Sequence, residues 1–227
     1  MGLRDFVTKA KEADGRDFAP KFLYKIIKTP GQYRVRLYKY LASEDGFPGL
    51  MTTWYWPAEG EKGVRKKLSD GGEEAKRRQQ RVDALRIKGD AEKANKVAAT
   101  PEYWFSGVLS TQPTMMRILD LHSQSQFEKV AVAIANASQM GVWTKYELTP
   151  DFEAAFDAGF ERIAGPNGMD LIINVEPEVN PATGKKNRPG DKYSFRVATA
   201  GNEALPIPPE GAFDLKAAAL EEDGGGR

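Results

Sequence analysis

Along Tyr33-Arg34-Val35-Arg36-Leu37-Tyr38-Lys39-Tyr40, two chemical kinds of residue alternate strictly. A strand turns successive side chains to opposite faces. Arg34, Arg36, Tyr38 and Tyr40 therefore share one face, and Tyr33, Val35, Leu37 and Lys39 the other. Two guanidinium forks and two phenol rings in a row suit the neutralisation of phosphates and the stacking of unpaired bases, each stack worth about 1–3 kcal/mol. The triplets Trp54-Tyr55-Trp56 and Tyr103-Trp104-Phe105 cannot place all three rings in one core, because neighbours point to opposite sides. Trp54, Trp56, Tyr103 and Trp104 are accordingly candidate stacking rings. Lys185, Lys186 and Arg188 lie in the loop NPATGKKNRPGD, and loops between strands flank the groove of a small barrel, so they are candidate phosphate contacts.

Other chemistries have little material. Cysteine is absent and His122 is the one histidine, which excludes disulfides, thiol catalysis and thiolate zinc, and starves a Ser–His–Asp triad or a multi-histidine metal cluster. GGEEAKRR lacks the Gly-Lys-Ser/Thr element of a phosphate-binding loop. Asp120, Asp170, Glu176 and Glu178 are not followed by the spacing of a metal-dependent nuclease. The expectation is a non-catalytic protein with no metal and no cofactor.

The net charge of +1 conceals an asymmetry. Residues 1–100 carry 22 Lys and Arg against 14 Asp and Glu, whereas residues 101–227 carry 11 against 18. A basic half beside an acidic one points to a polyanionic partner. No apolar run approaches the ~20 residues of a membrane span. MGLRDFVTKAKEADGRDF lacks the apolar core of a secretory signal, and the expected location is cytoplasmic.

The elements that must position these residues follow from periodicity. Residues 3–11 read as a short amphipathic helix within an N-terminal arm, 1–30. Strands are expected at 33–40 and 50–56, paired as a hairpin or meander, then at 102–110 and 115–123, joined by the turn Thr111-Gln112-Pro113-Thr114. Between the pairs lies 58–100, rich in Lys, Arg, Glu and Ala. It predicts helices at 61–69 and 73–96, the second broken at Gly89, too polar to bury much surface. Ser125 and Glu128 form a capping-box pattern ahead of Phe127, Val130, Ile134 and Ala137 at helical spacing. Residues 143–148 predict a strand, Thr149-Pro150 caps a helix at about 151–163, and the last strands fall at 170–177 and 192–200. Residues 202–227 read as a weakly acidic tail. The order suits a mainly β fold with α insertions over 31–201, a five-stranded Greek-key barrel of the oligonucleotide/oligosaccharide-binding (OB) type, with a mixed α+β sheet of another topology as the alternative.

The segments YRVRLYKYL, TPEYWFSGVLSTQP, MMRILDLHSQSQFEKVAVAI and GMDLIINVEPEVNPATGKKNRPGDKYSFRV, in that order over about 33–200, resemble the core of T-even-type phage single-stranded-DNA-binding proteins. The resemblance implies an OB barrel that coats single strands during phage replication, recombination or repair, without sequence preference. It implies that Arg34, Arg36, Tyr38, Tyr103 and Trp104 line the DNA cleft. Family members often bind zinc through Cys and His between the second and third strands; here the Cys-free segment 58–100 occupies that place, and no zinc is expected. The family's acidic tail, which implies recruitment of phage replication proteins, has a short counterpart in Glu221, Glu222 and Asp223. The rival reading is a protein-interaction or host-regulator protein whose basic segment 61–96 docks an acidic partner.

Overall fold

The computed structural model describes residues 29–39, 48–55, 66–67, 72–121, 123–187, 192–198 and 215. In chain order they form β1 (Gly31–Tyr38), β2 (Leu50–Tyr55), β3 (Lys66–Lys67), α1 (Glu73–Ile87), α2 (Ala91–Val97), β4 (Thr100–Leu109), β5 (Gln112–Leu121), α3 (Gln124–Ala137), α4 (Pro150–Ile163), β6 (Leu171–Val175) and β7 (Tyr193–Val197). The strands make one open antiparallel sheet in the order β3-β2-β4-β1-β6-β7, with β5 on the other side of β4. Among the described residues the fold is mainly β with helices, as expected, and its sheet is open rather than closed into a barrel.

β4 organises that sheet. One of its edges pairs with β5, Tyr103 opposite Leu121 and Phe105 opposite Leu119. The other edge is shared end to end: β2 takes Thr100 to Trp104, and β1 takes Ser106 to Leu109. The expected hairpin of the first two strands is not formed; each pairs with β4 instead. β4 and β5 meet through a connection of Ser110 and Thr111, tighter than the expected turn, since Leu109 already faces Gln112. Pro113 thus lies inside β5, which an edge strand tolerates because no second neighbour needs its missing N–H.

One face of the sheet is covered by α3 and α4. Val35, Leu37, Tyr103, Phe105, Leu119, Leu171 and Ile173 meet Phe127, Val130, Ile134, Phe152, Phe156 and Phe160 there. α4 buries Phe152, Ala155, Phe156, Gly159, Phe160 and Ile163, a stripe at three- and four-residue spacing. Its start is as expected: Thr149 accepts from the Phe152 N–H, with Pro150 in the first turn. α3 starts two residues earlier than the capping pattern suggested, because Ser123 accepts from the Gln126 N–H and supplies the cap.

Three further expectations change. Lys66 and Lys67 pair with Tyr55 and Trp54 as β3, within the span assigned to a helix. Residues 143–148 are not a strand: Asn136 accepts from the Trp143 N–H at 2.7 Å and donates to its carbonyl at 2.9 Å, so a side chain replaces a ladder. The basic helical segment does break at Gly89, where φ is +78°, giving α1 and α2. Val82 is the buried residue of α1, as its polarity required. The expected helix at 3–11, His122 and, apart from the buried Leu215, the tail lie outside the described residues. No helix among the described residues is long and apolar enough to cross a membrane.

Candidate functional site

The alternation of β1 holds, and it separates the sheet into an inner face against the helices and an outer face. Val35 and Leu37 point inward into the core. Arg34, Arg36 and Tyr38 point outward, beside Ile172 of β6 and Val108 and Ser106 of β4. What differs from expectation is solvent access. The Arg36 side chain is 1% exposed and donates from Nε to Asp170 Oδ1 at 2.9 Å, with Nη1 donating to the Pro166 and Gly165 carbonyls. Asp170 also accepts from Ser110 Oγ at 2.9 Å and pairs with Arg34 Nε at 3.0 Å. A guanidinium can be buried in this way only because a carboxylate and carbonyls compensate it. Arg36 is thus a structural residue, and the sequence placed no partner beside it because Asp170 is 134 positions away.

The rings are also withdrawn. Trp54 and Trp104 stack on each other, centroids 5.9 Å apart and planes at 24°, and both are buried on the outer face. Trp54 Nε1 donates to Thr52 Oγ1 at 2.6 Å. Tyr103 points to the inner face, stacked on Phe127 with centroids 4.0 Å apart, and its hydroxyl donates to Gln124. Tyr103 and Trp104 therefore do not share a surface. Burial pushes the phenols of Tyr38 and Tyr103 above the ordinary tyrosine range. The expected cleft lined by Arg34, Arg36, Tyr38, Tyr103 and Trp104 is corrected: of these and the candidate ring Trp54, Arg34 alone has an exposed side chain, at 47%. Large rings bury 150–250 Å² each, and the packing gain outweighs the preference of an alternating pattern for water. Tyr40, Trp56 and Arg188 lie outside the described residues.

The outer face is open instead at the β1–β6–β7 corner. Arg34, Ile172 and Arg196 stand in register across three strands. Arg34 and Arg196 are exposed and flank the buried Ile172. Beside that row runs another, in which Gln32 donates to Asn174 Oδ1 at 2.9 Å and Asn174 donates to Ser194 Oγ at 3.3 Å. Strand spacing of about 4.8 Å puts the Arg34 and Arg196 backbones about 10 Å apart. Arg196 was missed, although the alternation in Tyr193-Ser194-Phe195-Arg196-Val197 carries the same signal as β1.

The β6–β7 connection leaves from this corner. Val179 bridges to Lys186, and Asn180 accepts from the Gly184 N–H and donates its own N–H to the Lys185 carbonyl, so the loop is a tight ribbon with Gly184 at φ +63°. Lys186 is committed to Glu178 at 2.7 Å. Its hydrogen bond and charge, with Lys192 adding to them, hold the Glu178 carboxyl below the usual range. Because the folded value is the lower one, the pair is intact at neutral pH and dissolves as pH falls through that depressed value. Lys185 is exposed beside it.

A further set of cations lies on α1 and its C-cap, where Lys76, Arg77, Arg81, Arg86 and the capping Lys88 are exposed. Arg78 is different: it pairs with Glu74 at 3.1 Å and lies 4.2 Å over the half-buried Tyr55 ring, anchoring the helix to β2. Among the described residues no cluster of His, Cys, Asp or Glu is placed to hold a metal ion, and Asp170 is engaged by arginines. No protein-family model matches the chain, and no curated protein matches it.

Proposed function

We propose that this chain is a sequence-independent single-stranded-DNA-binding protein that coats and protects unpaired strands during phage DNA replication, recombination or repair. The observation that carries the reading is the open corner. Its two in-register arginines, the neighbouring amide and hydroxyl row and the adjacent lysine-bearing loop form a surface suited to phosphates rather than to particular bases. The fold supports it. Strands β5-β4-β1-β6-β7 follow the order of an OB barrel left open between β5 and β7, with α3 between its third and fourth strands. In such barrels the first and fourth connections border the groove; here these are residues 39–99 and 176–192. The resemblance to T-even-type proteins points the same way.

Phosphate neutralisation falls to Arg34, Arg196 and Lys185, with the exposed α1 cations alongside. Stacking falls to Tyr40 and Trp56, which directly follow or lie close to the ends of β1 and β2. Anisotropy of a fluorescent oligo-dT tests the reading. Affinity should fall linearly with log salt, with a slope of about −0.7 per phosphate contact. Arg34→Gln with Lys185→Gln should flatten that slope by about 1.4 while leaving the fold intact, since Arg36 keeps Asp170 compensated. Absence of oligo-dT binding at low salt, or equal affinity for duplex, rejects the proposal.

A further inference from the structure

Four of the large apolar side chains exposed among the described residues fall in two places. Met140 is 61% exposed, Val142 90% and Leu148 73%, all in the connection between α3 and α4; Ile87, at 87%, ends α1. Slack does not account for the first group. The Asn136 amide clamps the Trp143 N–H and carbonyl, and the Trp143 and Tyr146 rings each stand edge-on to Phe152 of α4 at 5.2 Å. The connection is thus held against α4 while three of its apolar side chains remain in water.

Charge divides the same two places. Residues 124–163 carry 3 Lys and Arg against 6 Asp and Glu, and residues 73–97 carry 8 against 5. On α4, Glu153, Asp157 and Glu161 are exposed at four-residue spacing, a like-charge row that weakens an isolated helix. Lys39 reaches Glu161, whereas Asp151, Glu153 and Asp157 pair with no cation among the described residues. The cations of this layer are engaged: Lys129 with the Tyr193 carbonyl, Lys145 with Glu147, and Arg162 with the Ala137 carbonyl. α1 has the inverse pattern. Ile87 lies five residues past the buried Val82, about 140° around the helix and so away from the body. Lys76, Gln80, Ala84 and the capping Lys88 are exposed on that side at four-residue spacing. The acids there are already used: Glu73 lies 3.9 Å from Arg77, and Asp83 accepts from Gln79 at 2.9 Å.

We infer that α1 of one copy of the chain docks on the α3–α4 connection and α4 of another. Ile87 meets Met140, Val142 and Leu148. Lys76 and Lys88, about 18 Å apart along their axis, bracket the acidic row, which is about 12 Å long. Rows at four-residue spacing are the ones that interdigitate in the commonest helix packing, and the exposed Ala84, Ala154 and Ala158 leave room for close approach. Because both patches are exposed in one chain, they do not cover each other there. Two unlike patches make a heterologous contact, which extends head to tail unless it closes. The basic segment that reads as a dock for an acidic partner thereby finds that partner in the chain's own acidic half. The contact does not rest on the DNA binding proposed above.

Sedimentation equilibrium of the full chain, with no nucleic acid present, tests it. At low salt the average mass should climb above the 25.1 kDa monomer as concentration rises, and added salt should reverse the climb. Ile87→Glu and Val142→Glu, both at exposed positions, should each weaken association by about tenfold or more. Charge reversal is the stricter test. Lys76→Glu with Lys88→Glu moves α1 toward the sign of α4, and Glu153→Lys with Asp157→Lys moves α4 toward the sign of α1. Each double variant should stay monomeric alone. Mixed, the two should associate, because the native α4 of one still matches the native α1 of the other. A monomer mass that holds at low salt up to about 1 mM overturns the inference. So does association that ignores these substitutions, or a mixture that stays monomeric. Failure here leaves the proposed function standing, and loss of oligo-dT binding leaves this contact standing.

Discussion

Replacing Asp170 with alanine will destabilise the protein by about 3–5 kcal/mol, the cost of leaving a buried guanidinium uncompensated. Asp170 takes hydrogen bonds from Arg36 Nε and Ser110 Oγ, each at 2.9 Å, and pairs with Arg34 at 3.0 Å. Arg34 can turn to water when that carboxylate goes, but Arg36 cannot, being 1% exposed. At about 2–4 °C per kcal/mol for a chain of this size, the melting temperature should drop by about 6–20 °C. Urea unfolding gives the same quantity from its midpoint. Replacing the pair together, Arg36→Met with Asp170→Leu, should recover most of the loss, because an apolar pair of similar volume needs no compensation. A single Asp170→Ala variant as stable as the parent would show that the node contributes nothing. The measurement also separates structural from ligand-binding roles: Arg36 variants should lose stability whether or not DNA is present.

The second large effect is at Gly159. Glycine inside a helix is unfavourable by about 1 kcal/mol against alanine, so helix propensity alone predicts that Gly159→Ala stabilises the protein. Packing predicts the opposite. A Cβ at this position would lie 1.9 Å from the Ile134 carbonyl oxygen and 2.8 Å from its carbon, both backbone atoms of α3. Neither atom can rotate away, so the two helices would have to separate and loosen the core between them. We expect a destabilisation of about 3 kcal/mol or more, at the upper end of what overpacking costs. Thermal unfolding decides the sign: a rise in melting temperature would mean that α3 and α4 do not approach so closely.

The sequence made the strands of the sheet legible where alternation was strict. Residues 33–38 read as a strand with its two faces correctly divided, and Thr149-Pro150 marked the start of α4. What could not be read was which outward residues meet water. Arg36 looks like a phosphate ligand until Asp170, far along the chain, is brought beside it. The ring triplets required that neighbours face opposite sides, and they do, yet Trp54 and Trp104 bury each other on the side where openness was expected. Non-local pairing explains both cases. The missing strand at 143–148 has a local cause, since the Asn136 amide occupies the Trp143 N–H and carbonyl that a neighbouring strand would have used.

The end-to-end sharing of β4 divides the molecule's cooperativity. β2, β3, α1 and α2 join the rest of the sheet through Thr100 to Trp104, whereas Ser106 to Leu109 are clasped on both sides by β1 and β5. The attached half can come away while the other half stays intact, so the two should open as separate units with different free energies. Amide protons of Ser106 to Leu109 should then outlast those of β2 in deuterated water. A strand threading between the units would tie their exchange rates together.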